Sequence, residues 1–284
     1  MGNYYKNILL VTDMDGTLLN SDNKVSMNNK RALEHFVYEG GLFTVATGRM
    51  ERSVIPYLDD LPINVPGVLY NGGALYDFQN QKILWNQGLP EDFSLLLEEI
   101  IQAFPGIGVE IYMNQNVYFI THNEHTDSHR IKEKLKKNTH SLEQLQGSWQ
   151  KVMLVWEASL LDQVESFLEQ NSRGIDWVRS EPQFLEVLAK NVNKGNGLIK
   201  LKKHLDLLNV STVAFGDHLN DITLLTASDL GIAVDNGHDQ LKSIACYSGK
   251  HHDEDALAAI IYQKNLIFDL LVMKKNEVKE KNRL

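Results

Sequence analysis

Apolar residues along this chain recur in two rhythms. Ile8-Leu-Leu-Val11 is an unbroken apolar run that stops at a cluster of turn residues, the pattern of a strand covered on both faces of a parallel sheet. Ser26 then offers a helix cap ahead of a face carrying Leu33, Phe36 and Val37, and Gly40-Gly41 ends that helix. Leu42-Phe-Thr-Val-Ala46 predicts a second strand and Gly67-Val-Leu-Tyr70 a third. The last third of the chain follows the same grammar. Leu198, Leu201, Leu205 and Leu208 share one helical face, followed by a strand over Thr212–Phe215. A short helix follows Asn220, then a strand over Leu230–Val234, then helices starting at His238 and Asp255. Such alternation predicts a doubly wound, Rossmann-like α/β core with a parallel sheet.

The middle of the chain reads differently. Val109–Met113 and Val117–Ile120 predict a hairpin about Asn114-Gln-Asn116. A polar helix is expected over His125–Lys137, then a strand over Val152–Trp156, an amphipathic helix carrying Leu160, Leu161, Val164 and Leu168, and strands around Trp177 and Leu185. Hairpins with packed helices predict an α+β module inserted into the parallel core. The expected division is a core of residues 1–83 and 190–284, with an insert over 84–189.

Length agrees with two domains, since 284 residues exceed the usual single core. A net charge of -9 excludes nucleic acid and anionic membranes as main partners, because both reward a basic surface. An anionic substrate must then be held by a local group of donors. The single cysteine, Cys246, rules out an intrachain disulfide framework and fits a reducing cytoplasm. The opening Met-Gly-Asn-Tyr-Tyr-Lys has neither the cationic nor the long apolar region of a signal peptide.

Four polar clusters follow expected core strands. Asp13-Met14-Asp15-Gly-Thr17 comes after the first, where two carboxylates can share a cation. Thr47-Gly48-Arg49 comes after the second and supplies a hydroxyl, an unhindered amide and a cation. Lys194-Gly195 opens a helix, adding a point charge to its positive end. Gly216-Asp217-His-Leu-Asn220-Asp221 follows a later strand and offers the hard oxygens that magnesium prefers. Each alone reads equally as a turn, a surface charge or a helix entry. Ligands of open α/β sheets bind beyond the carboxyl ends of the strands, and all four clusters fall there. Two histidine-bearing segments are weaker signals. His125 and His129 sit i, i+4 on the polar helix, and His251-His252-Asp253-Glu254-Asp255 reads as a solvated turn leading into a helix start.

In this order the motifs resemble the haloacid dehalogenase superfamily of phosphohydrolases. The insert between Thr47 and Lys194, with Asn71-Gly-Gly just before it, resembles the Cof-type branch, subfamily IIB, which carries an α/β cap of C2 type. The resemblance implies a Mg²⁺-dependent phosphatase acting on small phosphorylated metabolites such as sugar phosphates, pyridoxal phosphate or nucleotide-like compounds, as a monomer or homodimer. It implies Asp13 as nucleophile and Asp15 as proton shuttle, chemistry that carboxylates can support. Met14, Thr47, Gly48, Lys194 and Asn220 would hold the phosphoryl group. Asp13, Asp15 through its backbone carbonyl, and Asp217 would hold the metal, with Asp221 outside them. Arg49, Asn71 and the cap residue Glu186 are candidate substrate contacts. The pattern departs from the family at Asp235-Asn236-Gly237, where Gly-Asn-Ala is usual, and continues through Leu266–Met273, an apolar segment suited to a dimer contact. A phosphomannomutase-like isomerase shares this core and cap, but needs cap cations to grip a second phosphate, for which Arg130, Lys132, Lys134, Lys136, Lys137, Lys151, Arg173 and Arg179 are available. A receiver module shares the aspartate acceptor but has no counterpart of Asp15.

Overall fold

The computed structural model describes residues 2–171, 174–263 and 265–281. The chain forms two compact units, one of Met1–Arg49, Val54–Leu84 and Asn193–Leu284, the other of Met50–Ser53 and Trp85–Val192. Strands β1 (Ile8–Thr12), β2 (Leu42–Val45), β3 (Gly67–Leu69), β4 (Ala74–Asp77) and β5 (Lys82–Asn86) come first. The second unit holds β6 (Gly108–Met113), β7 (Asn116–Thr121), β8 (Lys151–Val155), β9 (Ile175–Glu181) and β10 (Phe184–Ala189). The first unit resumes with β11 (Ser211–Gly216), β12 (Leu230–Ala233) and β13 (Tyr247–Ser248). The helices are α1 (Met27–Tyr38), α2 (Glu51–Val54), α3 (Phe93–Ala103), α4 (Glu124–Lys132), α5 (Ala158–Asn171), α6 (Lys194–His204), α7 (Ile222–Ala227), α8 (Asp239–Ile244), α9 (Ala256–Ile261) and α10 (Leu266–Lys281).

The first unit is built on a parallel sheet of order β13-β12-β11-β1-β2. Every residue of β1 is buried, which is why this strand reads as a continuous apolar run. The register places Thr12 beside both Phe215 and Val45. Asp13, the Ala46-Thr47 turn and Asp217 therefore leave the sheet at one edge. Helix α1 begins where expected, with Ser26 Oγ accepting from the Asn29 amide, and buries Ala32, Leu33 and Phe36. Helix α6 is capped by the Asn193 side chain, which accepts from the Asn196 amide at 2.8 Å.

Some expectations need correction. Gly67–Leu69 is not a further strand of the main sheet, which it touches only through a parallel bridge between Ala46 and Val68. Its chain doubles back at once, so β3 pairs antiparallel with β4 in a small sheet of order β3-β4-β5. The face carrying Leu198 and Leu201 ends sooner than its spacing suggests. Leu205 is already the C-cap, and Leu208 is exposed. Helix α4 stops at Lys132 because the chain turns through a left-handed Lys134 (φ 54°). The apolar segment after Asn265 forms α10, which buries its own Ile267 and Leu271 and leaves Val272 and Met273 exposed. Among the described residues, no helix is long and apolar enough to cross a membrane.

In the second unit, an antiparallel sheet of order β7-β6-β8-β10-β9 packs one face against helices. Val109, Ile111, Val152, Leu154, Leu185 and Val187 meet Leu97 and Ile100 of α3 and Leu161, Val164 and Leu168 of α5. Alternation sends Glu110, Tyr112, Lys151 and Glu186 to the opposite face. There Lys151 Nζ pairs with Glu186 Oε2 at 2.5 Å and lies over the Tyr112 ring. The Tyr112 hydroxyl donates to Glu110, whose carboxylate also contacts His129 Nδ1 at 3.0 Å. Burial, reinforced by Glu110, pushes the Tyr112 hydroxyl well above its ordinary value. Burial alone would lower His129, but the Glu110 carboxylate outweighs it and raises the imidazole.

Candidate active site

The nucleophile candidate Asp13 lies just past the end of β1, its amide donating to Phe215 O at 3.0 Å. It is buried, and its Oδ1 stands 2.7 Å from Lys194 Nζ. Lys194 is fully buried at the start of α6 and also reaches Asp221 Oδ1 at 2.6 Å. The other Asp221 oxygen, Oδ2, accepts from the amides of Asp217 and His218 at 2.9 and 3.1 Å. Thr17 Oγ1 donates to Asp217 Oδ1 at 2.8 Å. Asp13, Asp217 and Asp221 each bring an oxygen within 4.8 Å of the others. Asp221 has both oxygens engaged, so Asp13 and Asp217 are the carboxylates left to face an ion.

One lysine does not neutralise two buried carboxylates and a half-buried third. Burial, then the neighbouring charges of Asp221 and Asp217, pushes Asp13 well above the ordinary carboxylate range against the pull of Lys194. Asp217 is raised to about 7 by burial and by Asp221. Burial would lower Lys194, but Asp13 and Asp221 overcome it and hold the ammonium charged. A site with this surplus of carboxylate oxygen fits a hard divalent cation such as Mg²⁺, which takes oxygen ligands and would relieve the repulsion.

The loop after β1 is shaped for this approach. Gly16 has φ 72°, and a Cβ there would lie 2.4 Å from Asp217 Oδ2. Met14 buries its side chain completely, so its backbone is what it can present. Asp15 is half-exposed, with both carboxylate oxygens gripped by Arg49, from Nε and Nη2 at 2.7 Å each. Arg49 therefore stands on Asp15, where the sequence offered it as a substrate contact. Its amide donates to Thr47 Oγ1 at 3.1 Å. Thr47 is buried and Gly48 half-buried in the turn after β2.

Asn71 and Asn220 complete this edge. Asn220 Nδ2 donates to Asn71 Oδ1 at 3.2 Å, leaving Asn71 Nδ2 and Asn220 Oδ1 buried without hydrogen-bond partners. Such orphaned groups are costly unless a ligand completes them. Tyr70 and Asn71 both have positive φ, and Gly72 follows at φ 97°. A Cβ on Gly72 would fall 2.1 Å from the Asn193 carbonyl oxygen, a backbone atom just before Lys194. Gly72→Ala is thus expected to cost about 2 kcal/mol or more, through strain at positive φ and displacement of α6. Thermal unfolding of the purified variant measures it.

Three contributors escaped the sequence reading. Thr17 orients Asp217, Asn236 Nδ2 donates to Gly16 O at 2.7 Å, and Asp217 O accepts from the His238 amide at 2.7 Å. Asn236 is the residue retained within the departing Asp235-Asn236-Gly237 stretch, and its contact could have been suspected from that alone. Glu186 lies in the other unit, paired with Lys151. Of the cations available for a second phosphate, Lys132, Lys151 and Arg179 pair with Glu181, Glu186, and Asp162 and Glu165, while Arg130 faces Asp127 at 3.5 Å. Arg173 lies outside the described residues.

A parallel sheet with aspartates, lysine and threonine gathered at its carboxyl edge is the framework of a phosphoryl-transfer enzyme. A family profile described as haloacid dehalogenase-like hydrolase matches residues 10–261, and the chain belongs to that family. It is similar to a 5-amino-6-(5-phospho-D-ribitylamino)uracil phosphatase of Bacillus subtilis, 26% identical, with 90% of this chain and 97% of the relative covered. It is equally similar to a pyridoxal phosphate phosphatase of Escherichia coli, 26% identical over 89% of this chain and 97% of the relative. A haloacid dehalogenase-like hydrolase from Bacteroides thetaiotaomicron superposes with a TM-score of 0.78 at 25% identity, covering 90% of this chain and 98% of that one. The fold is also that of a subclass IIB sugar phosphatase, with a TM-score of 0.79 at 20% identity, covering 92% and 99% of the two chains. The protein is a phosphatase of the haloacid dehalogenase type, a phosphoric monoester hydrolase.

Proposed function

We propose that this chain hydrolyses small phosphate monoesters with Mg²⁺, through an aspartyl phosphate on Asp13. The observation that carries the reading is the buried Asp13 carboxylate, held by Lys194 among further carboxylates at the sheet edge. An Asp13 oxygen attacks phosphorus in line as the ester oxygen departs. Asp15 gives that oxygen a proton, then takes one from the water that cleaves the acyl phosphate. Arg49 donates one N–H to each Asp15 oxygen, which fixes the carboxylate's orientation and leaves a second lone pair on each oxygen for the proton. Thr47, the Gly48 and Met14 amides, Lys194 and Asn220 stabilise charge spreading over the phosphoryl oxygens. The unpartnered Asn71 Nδ2 adds a donor on the same side. Asp13, Asp217 and the Asp15 carbonyl would hold Mg²⁺, whose charge offsets that of the carboxylate and phosphate oxygens. Asp221 keeps Lys194 and the Asp217 amide in place.

Sugar phosphates, pyridoxal phosphate and flavin-type phosphates make up the substrate class, in keeping with the relatives' activities. The test is a phosphate-release screen over such a panel, with Mg²⁺ and with EDTA. Release from several members, lost with EDTA, supports the reading; EDTA-resistant release would remove Mg²⁺ from it.

The raised carboxylates carry a further consequence. Asp13 and Asp217 retain protons in the fold that the unfolded chain gives up near pH 4 to about 5. Native groups that bind more protons than unfolded ones make stability fall as pH rises, here up through the value of about 7 for Asp217. Metal-free protein should therefore melt lower at about pH 8 than at about pH 5.5. Added Mg²⁺ should raise Tm more at the higher pH. Scanning fluorimetry at both values, with and without Mg²⁺, measures both effects.

A further inference from the structure

Asp15 is held by a side chain that is itself held. Arg49 Nε donates to Asp15 Oδ2 and Nη2 to Oδ1, each at 2.7 Å. Two bonds from one planar fork fix the rotation of a carboxylate as well as its position, which a single ammonium cannot do. The guanidinium in turn lies over the Tyr57 ring, with Cζ 5.4 Å from the ring centroid. At that distance a cation is attracted to an aromatic face. The Arg49 side chain is 10% exposed and that of Asp15 43%, so the arginine end of the pair is covered and the carboxylate end is accessible.

The backbone that carries each support is anchored too. The Arg49 amide donates to Thr47 Oγ1, and the Arg49 carbonyl accepts from the Tyr70 amide at 3.2 Å. Tyr57 ends a short 3₁₀ turn, Ile55–Tyr57, stiffened by Pro56. Its carbonyl accepts from the Asp60 amide at 2.9 Å. The ring therefore has a set place against the guanidinium.

We propose that Tyr57 and Arg49 are positioning residues for proton transfer by Asp15, an inference that rests on the reading of Asp15 as proton carrier. As the P–O bond breaks, its electron pair stays on the ester oxygen, which takes the proton of the Asp15 carboxylic acid. That proton matters most where the departing oxygen leaves poorly, as in the alkyl esters of sugar phosphates, and least for nitrophenolate. A carboxyl group free to rotate delivers it from the wrong place, and a misplacement of about 1 Å can cost on the order of 10²-fold. The clamp thus favours alkyl phosphates and is of little consequence for activated aryl ones. The competing role for Arg49 is a direct grip on the phosphoryl group, which would serve every ester alike.

The test measures kcat/KM for a series of monoesters from p-nitrophenyl phosphate to alkyl phosphates, with inorganic phosphate as competitive inhibitor. Comparing esters within one preparation cancels any difference in folded fraction. Arg49→Lys keeps the charge and loses the fork. It should lower kcat/KM on the order of 10²-fold for alkyl esters and less than about threefold for p-nitrophenyl phosphate. Tyr57→Leu should give the same pattern at about tenfold, and Tyr57→Phe, which retains the aromatic face, should restore the wild-type ratio of alkyl to aryl rates. Inhibition by inorganic phosphate should stay within about threefold throughout. Equal losses across the series, or weakened phosphate inhibition with an unchanged ratio, would overturn the proposal. Asp15→Asn separates the two levels of the claim. If it leaves the ratio unchanged, the reading of Asp15 falls and the proposal with it. If it lowers the alkyl rates selectively while Arg49→Lys and Tyr57→Leu do not, the proposal alone falls.

Discussion

Asp13→Asn is expected to lower turnover of p-nitrophenyl phosphate by a factor on the order of 10⁴–10⁶, the scale on which enzymes lose activity with their nucleophile. An amide of the same size keeps the contacts at the end of β1 but is a far weaker nucleophile. Asparagine also removes one of three crowded carboxylates, so the variant should fold at least as stably as the parent in the absence of metal. Steady-state kinetics beside thermal melts check both halves. Substantial Mg²⁺-dependent turnover in a pure preparation would sink the assignment of Asp13.

The second large effect is predicted for Lys194→Met, which keeps the side chain's length and removes its charge. Lys194 is fully buried between Asp13 and Asp221, and its loss leaves the carboxylates without their ammonium. Breaking a buried ion pair from one side costs about 3–5 kcal/mol, which at about 2–4 °C per kcal/mol is a fall in Tm on the order of 10 °C. Activity should fall steeply as well, because the ammonium is lost from the group of donors proposed to hold the phosphoryl oxygens. Lowering the pH should recover part of the lost stability, since protonation then relieves the carboxylates. A variant as stable as the parent across pH would contradict this description of the cluster.

The candidate site at the sheet edge was legible in the sequence because each of its pieces directly follows a strand or opens a helix. Buried runs such as Ile8–Thr12 announce parallel strands, and parallel register brings their carboxyl ends together without further information. What was not legible depends on contacts across long stretches of chain. The Thr17–Asp217 and Asn236–Gly16 hydrogen bonds join residues 200 and 220 positions apart. The grip of Arg49 on Asp15, the proposed proton carrier, likewise joins residues 34 positions apart. Glu186 shows the same limit in the other unit. Alternation places it on one face of β10, but only the pairing with β8 reveals Lys151 as its counter-charge. Helix α3 and strands β4 and β5 were not anticipated, although Phe93, Leu97 and Ile100 form a buried stripe along α3. Apolar residues also occupy Leu95, Leu96 and Ile101, which blurs the one-sided periodicity a helix reading needs.

The central claim is that the phosphoryl group passes through Asp13. The Asp15→Asn enzyme should release leaving group from p-nitrophenyl phosphate, whose departure needs little protonation, and then stall without a base to activate water. Acid quenching followed by peptide mass spectrometry measures where the phosphoryl group resides. A burst of one nitrophenolate per chain, with the phosphoryl group on Asp13, is the expected result. A burst matched by free inorganic phosphate, with Asp13 unmodified, would contradict it.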